Sequence, residues 1–274
     1  MAIEFAIENI LDLDVYPVQD RTNPERAKII ARCKADLDEN MYCAIPAIIR
    51  PDALSVMAEE ATALRPEAFD NNSNRNVYLQ RQTDSAFSAE HARNILSGTS
   101  TRMIAYDQIA ATSPLKVFYH ADEVRELIAD IVGADVLYDN VDPYQPANYV
   151  CYEEGDRSSW HFDSDNSFTV TLMVQAAQTG GEFQMSPNAR SDSDQNYEHV
   201  AKVLKGECDD TTVSVGREPG ALCIFRGCNA LHRVSEVRGS TMRIMGVFVY
   251  EREPGVLGDP EINATIYGPR VGVG

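Results

Sequence analysis

Basic residues are scarce in this 274-residue chain: 24 lysines and arginines stand against 42 aspartates and glutamates, a formal net charge of −18. A phosphate backbone or an anionic membrane surface would be repelled on average, so neither nucleic-acid binding nor peripheral membrane attachment is expected. No apolar run approaches the ~20 residues that a membrane span needs. The amino terminus lacks a basic segment ahead of an apolar core and carries acids early, so it does not read as a secretion signal. The six cysteines form no C-x-x-C pair, and several lie in apolar runs where a thiol acts as a small buried hydrophobe. Together these absences suggest a cytoplasmic chain with reduced thiols. Internal repeats, low-complexity tracts and flexible linkers are also missing, which favours one domain over residues 1–274.

Hydrophobic residues make up 44% and charged residues 24%, an ordinary globular balance with material for a sizeable core. Thr22-Asn23-Pro24-Glu25 offers a cap, a first-turn proline and an early acid, which predicts a helix to about Asn40. The apolar stretch Met41–Ile49 contains a proline and reads as an edge strand. Pro51-Asp52 opens a second helix to about Leu64, whereas Arg65–Thr101, rich in Asn, Ser, Arg and Gln, reads as long loops. Helical period returns over Asp122–Val132, with Gly133 as a stop. From Val136 onward, short runs of β-branched and aromatic residues punctuated by Gly, Pro and Asn read as an antiparallel sandwich or barrel. One helix, near Tyr197–Leu204, is expected to interrupt it. The expectation is therefore mostly helical support and loops over 1–135, a β core over 136–255, and a tail over 256–274.

Only five histidines are present, so each can be weighed. His161 and Asp163 close a strand-like run, and a period of two sets both side chains on one face. His232 follows seventy-one residues later, after a second β run ending at Phe225. Two histidines and a carboxylate form the facial triad of non-haem iron(II), which leaves positions open for a co-substrate and oxygen. Eleven residues beyond, Arg243 begins the run Arg243–Tyr250. A guanidinium inside a barrel needs an anionic partner, and a dicarboxylic acid on the iron would supply one. Against this stands His120-Ala121-Asp122, a second H-x-D in which Asp122 is better explained as a cap or first-turn acid of the following helix. His91 and His199 fall in helical or loop text and read as surface residues. Short strands whose inward ligands are so far apart in sequence suit a double-sheet jelly roll, or double-stranded β-helix, of cupin-like form.

The segments Tyr152–Asp163, Gly180-Gly181-Glu182-Phe183, Pro219–Phe225 and Leu231–Val234, followed by Arg243, resemble the iron(II)- and 2-oxoglutarate-dependent oxygenases. The resemblance spans roughly 140–252, about half the chain, and its linked motifs are more specific than any one of them. It implies His161, Asp163 and His232 as iron ligands and Arg243 as the partner of the 2-oxoglutarate distal carboxylate. Tyr152 matches a tyrosine that in some members hydrogen-bonds the same carboxylate. More narrowly, Val249–Gly255, Asn263–Gly268 and the Gly-Gly-Glu-Phe to Pro187-Asn188 segment are similar to the bacterial branch of radical amino-acid halogenases and related amino-acid hydroxylases. Halogenases of that branch lack the metal carboxylate, so Asp163 favours hydroxylation.

The activity so implied is hydroxylation of a small polar substrate, a free amino acid or derivative. It would consume 2-oxoglutarate and O2 and release succinate and CO2; desaturation or oxidative dealkylation would use the same residues. Candidates for substrate contact are Trp160, Asp165 and Asn166 near the motif, with Asp156 and Arg157 beside them. Arg75 and Arg81 in the loop-rich segment could meet a substrate carboxylate. Val247 and Val249 share the inward face of Arg243; the amino-acid halogenases that the chain resembles carry polar residues on this strand to hold the substrate, so the resemblance with these two apolar positions implies a substrate other than free lysine. Two other classes remain open: a cupin-type metalloenzyme that needs no 2-oxoglutarate, and a non-catalytic jelly-roll binding module. The sequence leaves oligomeric state undetermined.

Overall fold

The computed structural model describes residues 5–164, 168–216 and 218–271. In chain order, α1 (Ile7–Ile10) and α2 (Pro24–Asn40) lead to β1 (Tyr42–Ile45), α3 (Pro51–Leu64), β2 (Phe69–Arg75) and β3 (Ser97–Ile104). Then come α4 (Pro114–His120), α5 (Asp122–Val132), β4 (Tyr138–Asp139), β5 (Ala147–Tyr152), β6 (Ser158–His161), β7 (Thr169–Gln175), β8 (Thr179–Gly180) and β9 (Phe183–Ser186). After α6 (Tyr197–Leu204) follow β10 (Val213–Val215), β11 (Leu222–Phe225), β12 (Leu231–Val234), β13 (Val237–Arg238), β14 (Arg243–Phe248), β15 (Tyr250–Glu251) and α7 (Pro260–Tyr267). The sequence signals for α2 act as anticipated: the Asn23 side chain accepts a hydrogen bond from the Glu25 amide, and Pro24 occupies the first turn.

A seven-stranded sheet in the order β1-β11-β7-β14-β5-β3-β2 faces a four-stranded sheet in the order β10-β9-β12-β6, with antiparallel pairing throughout. This is the double-stranded β-helix expected from the sequence, with β1 at one edge of the larger sheet. Strand alternation assigns each residue a layer. Leu222, Ile224, Ile244, Tyr149 and Leu172 turn outward into the main core against Leu37, Met57, Leu115, Phe118 and Leu127 of the helices. Their neighbours Cys223, Phe225 and Tyr152 turn inward to meet Phe183, Met185 and Val234 of the smaller sheet. That sheet's other face packs Trp160 and Leu231 against Val200 and Val203 of α6. Each fully buried aliphatic or aromatic side chain contributes about 1.5–3 kcal/mol, so the helical layer is what makes the larger sheet stable enough to leave its inner face partly polar.

Four departures from the sequence reading have physical causes. Residues 65–101 are not all loop: β2 and β3 pair over Phe69↔Met103 to Arg75↔Ser97 and complete the larger sheet. In β2, half-buried and exposed positions alternate, yet Asn, Ser, Asp and Arg occupy both. The hydrophobic alternation that marks a strand is therefore missing. With β1, these strands also make the boundary at 136 sequence-deep only, since the first half of the chain supplies part of the β core. The short helix α4 has Pro114, Leu115, Lys116, Phe118 and Tyr119 all buried, so it shows no polar face to betray its period.

Residues 256–274 are not a plain tail. Asp259 caps α7 through the amides of Glu261 and Ile262, and Asn263 ties the helix to the body. Buried Asn263 donates to Asp142 Oδ2 at 2.9 Å and accepts from Gln145 Nε2 at 2.7 Å. Replacing Asn263→Ala leaves buried Asp142 and half-buried Gln145 without this partner. The expected loss is about 1–3 kcal/mol in urea unfolding, with faster amide exchange in α7; unchanged exchange there would show that other contacts hold the helix.

Candidate metal centre

His161 ends β6 and His232 lies in β12, and the two are direct register partners across the ladder, which shifts between His232 and Val234. Their ring centroids are 4.3 Å apart. Asp163 follows just beyond β6, where its amide donates to the Gly227 carbonyl at 3.0 Å. Its Oδ1 lies 3.8 Å from His161 Nε2 and 3.4 Å from His232 Nε2, and one ligand atom from each of the three residues falls within 4.8 Å of the others. Each ring has its Nδ1 beside a carbonyl, His161 with Ser159 O at 2.8 Å and His232 with Ala230 O at 2.9 Å. An Nδ1–H donating there leaves the Nε2 lone pairs directed at the shared space, the tautomer a metal ligand requires.

The electrostatics agree with the geometry. Desolvation, followed by the neighbouring His232, lowers the His161 imidazole to about 4, so it is neutral at physiological pH. Desolvation alone would raise the Asp163 carboxyl, but His232, His161 and the Thr169 hydroxyl together hold it well below the usual carboxylate range. Thr169 at the start of β7 donates to Asp163 Oδ2 at 2.6 Å. On the other side the backbone of Gly227 comes so close that a Cβ there would fall 1.9 Å from the same oxygen, which is why only glycine fits. This donor set fits a divalent first-row metal, and the mixed imidazole and carboxylate set with open positions suits non-haem iron(II).

Arg243 opens β14 opposite Tyr152 of β5 and is 1% exposed. Its Nε donates to the Gly181 carbonyl at 2.8 Å, and the guanidinium lies 5.0 Å from the centre of the Tyr152 ring. Gly181 has φ +64°, and a Cβ on it would sit 2.8 Å from Arg243 Cδ. The double glycine is therefore more than a turn, because it lets the backbone reach the arginine. Val247 lies farther along the same inward stripe, and Val247 and Val249 border a cavity of about 280 Å³ that also reaches Asp163.

Arg75, the last residue of β2, has its Nε and Nη2 buried without a hydrogen-bond partner among the described residues, and its charge is felt at His161. Burial and, after it, the charge of exposed Arg81 disfavour the charged form of Arg75. Trp160 is not brought to this cleft. It faces the opposite layer with Phe162 and Leu231, and the Arg233 guanidinium lies 4.6 Å from its ring. Asp165 and Asn166 lie outside the described residues. Asp156 is buried and engages Arg102 at 3.0 Å and the Glu153 amide at 2.8 Å, while Arg157 is exposed. The second H-x-D stays apart: His120 Nδ1 contacts Asp139 at 2.7 Å and Asp122 begins α5. Sequence reasoning missed Thr169, Gly227, Asn148 and α7. Of these only α7 had a readable signal, the Asp259-Pro260 start.

The fold is shared with solved Fe(II)- and 2-oxoglutarate-dependent oxygenases. Among solved structures, an oxidoreductase of the 2OG-Fe(II) oxygenase family from Burkholderia pseudomallei is 16% identical, with 83% of this chain and 92% of that one covered and a TM-score of 0.51. The epimerase SnoN, in complex with Fe3+, alpha ketoglutarate and nogalamycin RO, is 13% identical over 82% of this chain and 84% of its own, with a TM-score of 0.55. A Trichoplax adhaerens prolyl hydroxylase in complex with a hypoxia inducible factor peptide fragment is 13% identical over 86% and 95%, with a TM-score of 0.54. At these identities the likeness is one of fold. The family model Halogenase D (HalD) matches residues 25–256, and the chain belongs to that family. No curated protein matches the sequence.

Thr169 touches the ligand set without belonging to it. Thr169→Val should weaken Mn(II) or Fe(II) binding about 10–100-fold, the usual effect of removing a hydrogen bond that orients a metal ligand. Equilibrium dialysis of the folded variant reads this directly, and wild-type affinity would show that Asp163 is oriented by other means.

Proposed function

We propose that this chain is a dioxygenase that hydroxylates an unactivated C–H bond of a small polar molecule, a free amino acid or amino-acid derivative, with conversion of 2-oxoglutarate to succinate and CO2. The observation that carries hydroxylation, rather than the halogenation suggested by the family's name, is the Asp163 carboxylate. It is ionised, hydrogen-bonded by Thr169 and fitted against Gly227. A halide ligand would need that position to be empty.

His161 Nε2, His232 Nε2 and an Asp163 oxygen would hold the iron. When bound, iron with 2-oxoglutarate supplies the oxygen activation and the oxidising equivalents that no side chain here possesses. Arg243 is suited to clamp the far carboxylate of 2-oxoglutarate, because a buried guanidinium favours a charge-assisted, bidentate partner. The Gly181 carbonyl sets its direction and the Tyr152 ring packs over it. Phe183 and Phe225, with ring centroids 5.6 and 5.0 Å from that of His232, keep water from the back of the site. Arg75, near His161 at the rim, is the candidate for a substrate carboxylate, with exposed Arg81 behind it. The absence, among the described residues, of any helix long and apolar enough to cross a membrane is compatible with a cytoplasmic enzyme acting on a small molecule.

Incubation with Fe(II), ascorbate, O2, 2-oxoglutarate and a panel of amino acids should yield succinate together with a product heavier by one oxygen. Loss of two hydrogens would instead indicate desaturation. Asp163→Ala should reduce succinate formation at least 100-fold and yield no hydroxylated product. Arg243→Met should raise the KM for 2-oxoglutarate at least tenfold, since truncating one partner of a buried charge pair is costly. Full activity of Arg243→Met would instead point to a cupin-type metalloenzyme that uses no 2-oxoglutarate. A folded protein that binds no metal would point to a non-catalytic module.

A further inference from the structure

The cavity beside Asp163 has a chemical character that the triad does not dictate. It opens between the inner face of β14 and β5 on one side and α7 on the other. Met103, Val150, Val247, Phe168, Ile262 and Ile266 give it an aliphatic and aromatic wall, and Gln145, Asn148, Ser164, Thr169 and Tyr267 add polar groups around it. The only carboxylate among its described lining residues is Asp163, which the metal would occupy. Asp142 lies close behind, but its oxygens are already taken by Asn263, by Gly258 and by the amides of Tyr144 and Gln145. The polar residue Asn148 is likewise engaged, donating to the Gln145 carbonyl at 3.1 Å and the Tyr267 hydroxyl at 3.2 Å.

We infer that this cavity receives an aliphatic side chain of the substrate, with α7 as its outer wall, so that the enzyme selects apolar amino acids over cationic ones. The inference rests on the hydroxylase reading above and names the substrate class for the same site. A lysine or ornithine ammonium entering this space would lose water and, among the described residues, meet no free anion, which is unfavourable. A leucine- or norleucine-like chain would lose only water at its apolar surface and gain contact with the valines and isoleucines. The volume, about 280 Å³, falls just below the ~300–1,000 Å³ typical of drug-sized ligands and so suits a molecule of amino-acid size. Arg75 at the end of β2 gives such a substrate an anchor for its carboxylate, leaving the side chain to point past Asp163.

Ile266 lines the pocket from α7. Asn263 fixes that helix to the body through Asp142 and Gln145, so substitution at 266 changes the volume without touching the triad or Arg243. The test compares leucine, norleucine, methionine and 2-aminobutyrate with lysine, ornithine and arginine, reading succinate release and product mass. In parallel, an anaerobic titration follows the visible charge-transfer band of Fe(II) with 2-oxoglutarate.

The apolar set should show kcat/KM at least ~100-fold above the cationic set, the scale on which unmatched polar groups are rejected. Ile266→Trp should raise the KM for norleucine at least tenfold, affect 2-aminobutyrate far less, and leave the band intact. Val247→Asp should move preference toward ornithine or lysine. If the band forms but cationic amino acids are the better substrates, or no amino acid of either set is turned over, the inference is overturned and the metal and co-substrate assignment survives. If the folded protein gives no band and no 2-oxoglutarate-dependent succinate, the proposed function falls and this inference falls with it.

Discussion

A single desolvated carboxylate constrains the inner face of this protein. Asp163 is held there by the Thr169 hydroxyl, which donates to it, and its Oδ1 lies 3.8 and 3.4 Å from the Nε2 atoms of His161 and His232, so that a cation, when present, would be shared by all three. Each partner comes from a different strand or turn, so the carboxylate turns a sheet pairing into a site. The register His161↔His232 sets the two imidazoles side by side, and the ladder shifts just after them before pairing resumes at Val234↔Ser158. Glycine at 227 follows from the same requirement, since any side chain would occupy the space of the Asp163 oxygen.

A polar inner face has to be supported from outside. Alternation along β5, β7, β11 and β14 sends half of their residues into the helical layer, where Tyr149, Leu172, Leu222 and Ile244 are essentially inaccessible. The region between β5 and β6 is held differently. Arg65 pairs bidentately with Glu153, at 2.8 Å for both contacts, and Arg102 reaches Asp156 at 3.0 Å. Exposed members of such a network add little stability, but Asp156 is buried and also contacts Ser100 of β3. Asp156 therefore fastens the approach to the metal motif onto the neighbouring strand, and its nearness to His161 in sequence reflects that structural duty.

How much of this was legible in the sequence depended on whether a residue's neighbours in sequence are also its neighbours in space. His161 and Asp163 were readable because a short strand end converts a spacing of two into one face. His232 and Arg243 were readable because each opens or occupies an apolar β run. Thr169 and Gly227 act on Asp163 from other strands and turns, and nothing local distinguishes that threonine or glycine from any other. β2 was hidden because an edge strand with solvent on one face and a polar cleft on the other has no apolar alternation at all. Trp160 shows the opposite failure. Adjacent to a ligand in sequence, it is turned to the other side of the sheet by the same period of two that aims His161 inward.

That period also explains how one strand can serve two ligands. Arg243 and Val247 share the inward stripe of β14, four residues apart, and at ~3.4 Å per residue their backbones are separated by roughly 14 Å. A dicarboxylate held at the Arg243 end and a substrate chain resting at the Val247 end would thus approach the metal from opposite sides without competing for the same wall. On that proposal the division would leave specificity free to change without loss of the co-substrate site: substitutions at 247 and on α7 would alter what fits beside Asp163, while Gly181, Tyr152 and Arg243 stay untouched. On the proposed hydroxylase reading, reaction outcome would be less free. Thr169 and Gly227 are both fitted to a carboxylate at 163, so moving this member of the Halogenase D family toward halide chemistry would then require more than deleting one side chain. The hydroxyl and the glycine that now serve the carboxylate would have to accommodate an anion of different size and no covalent tether.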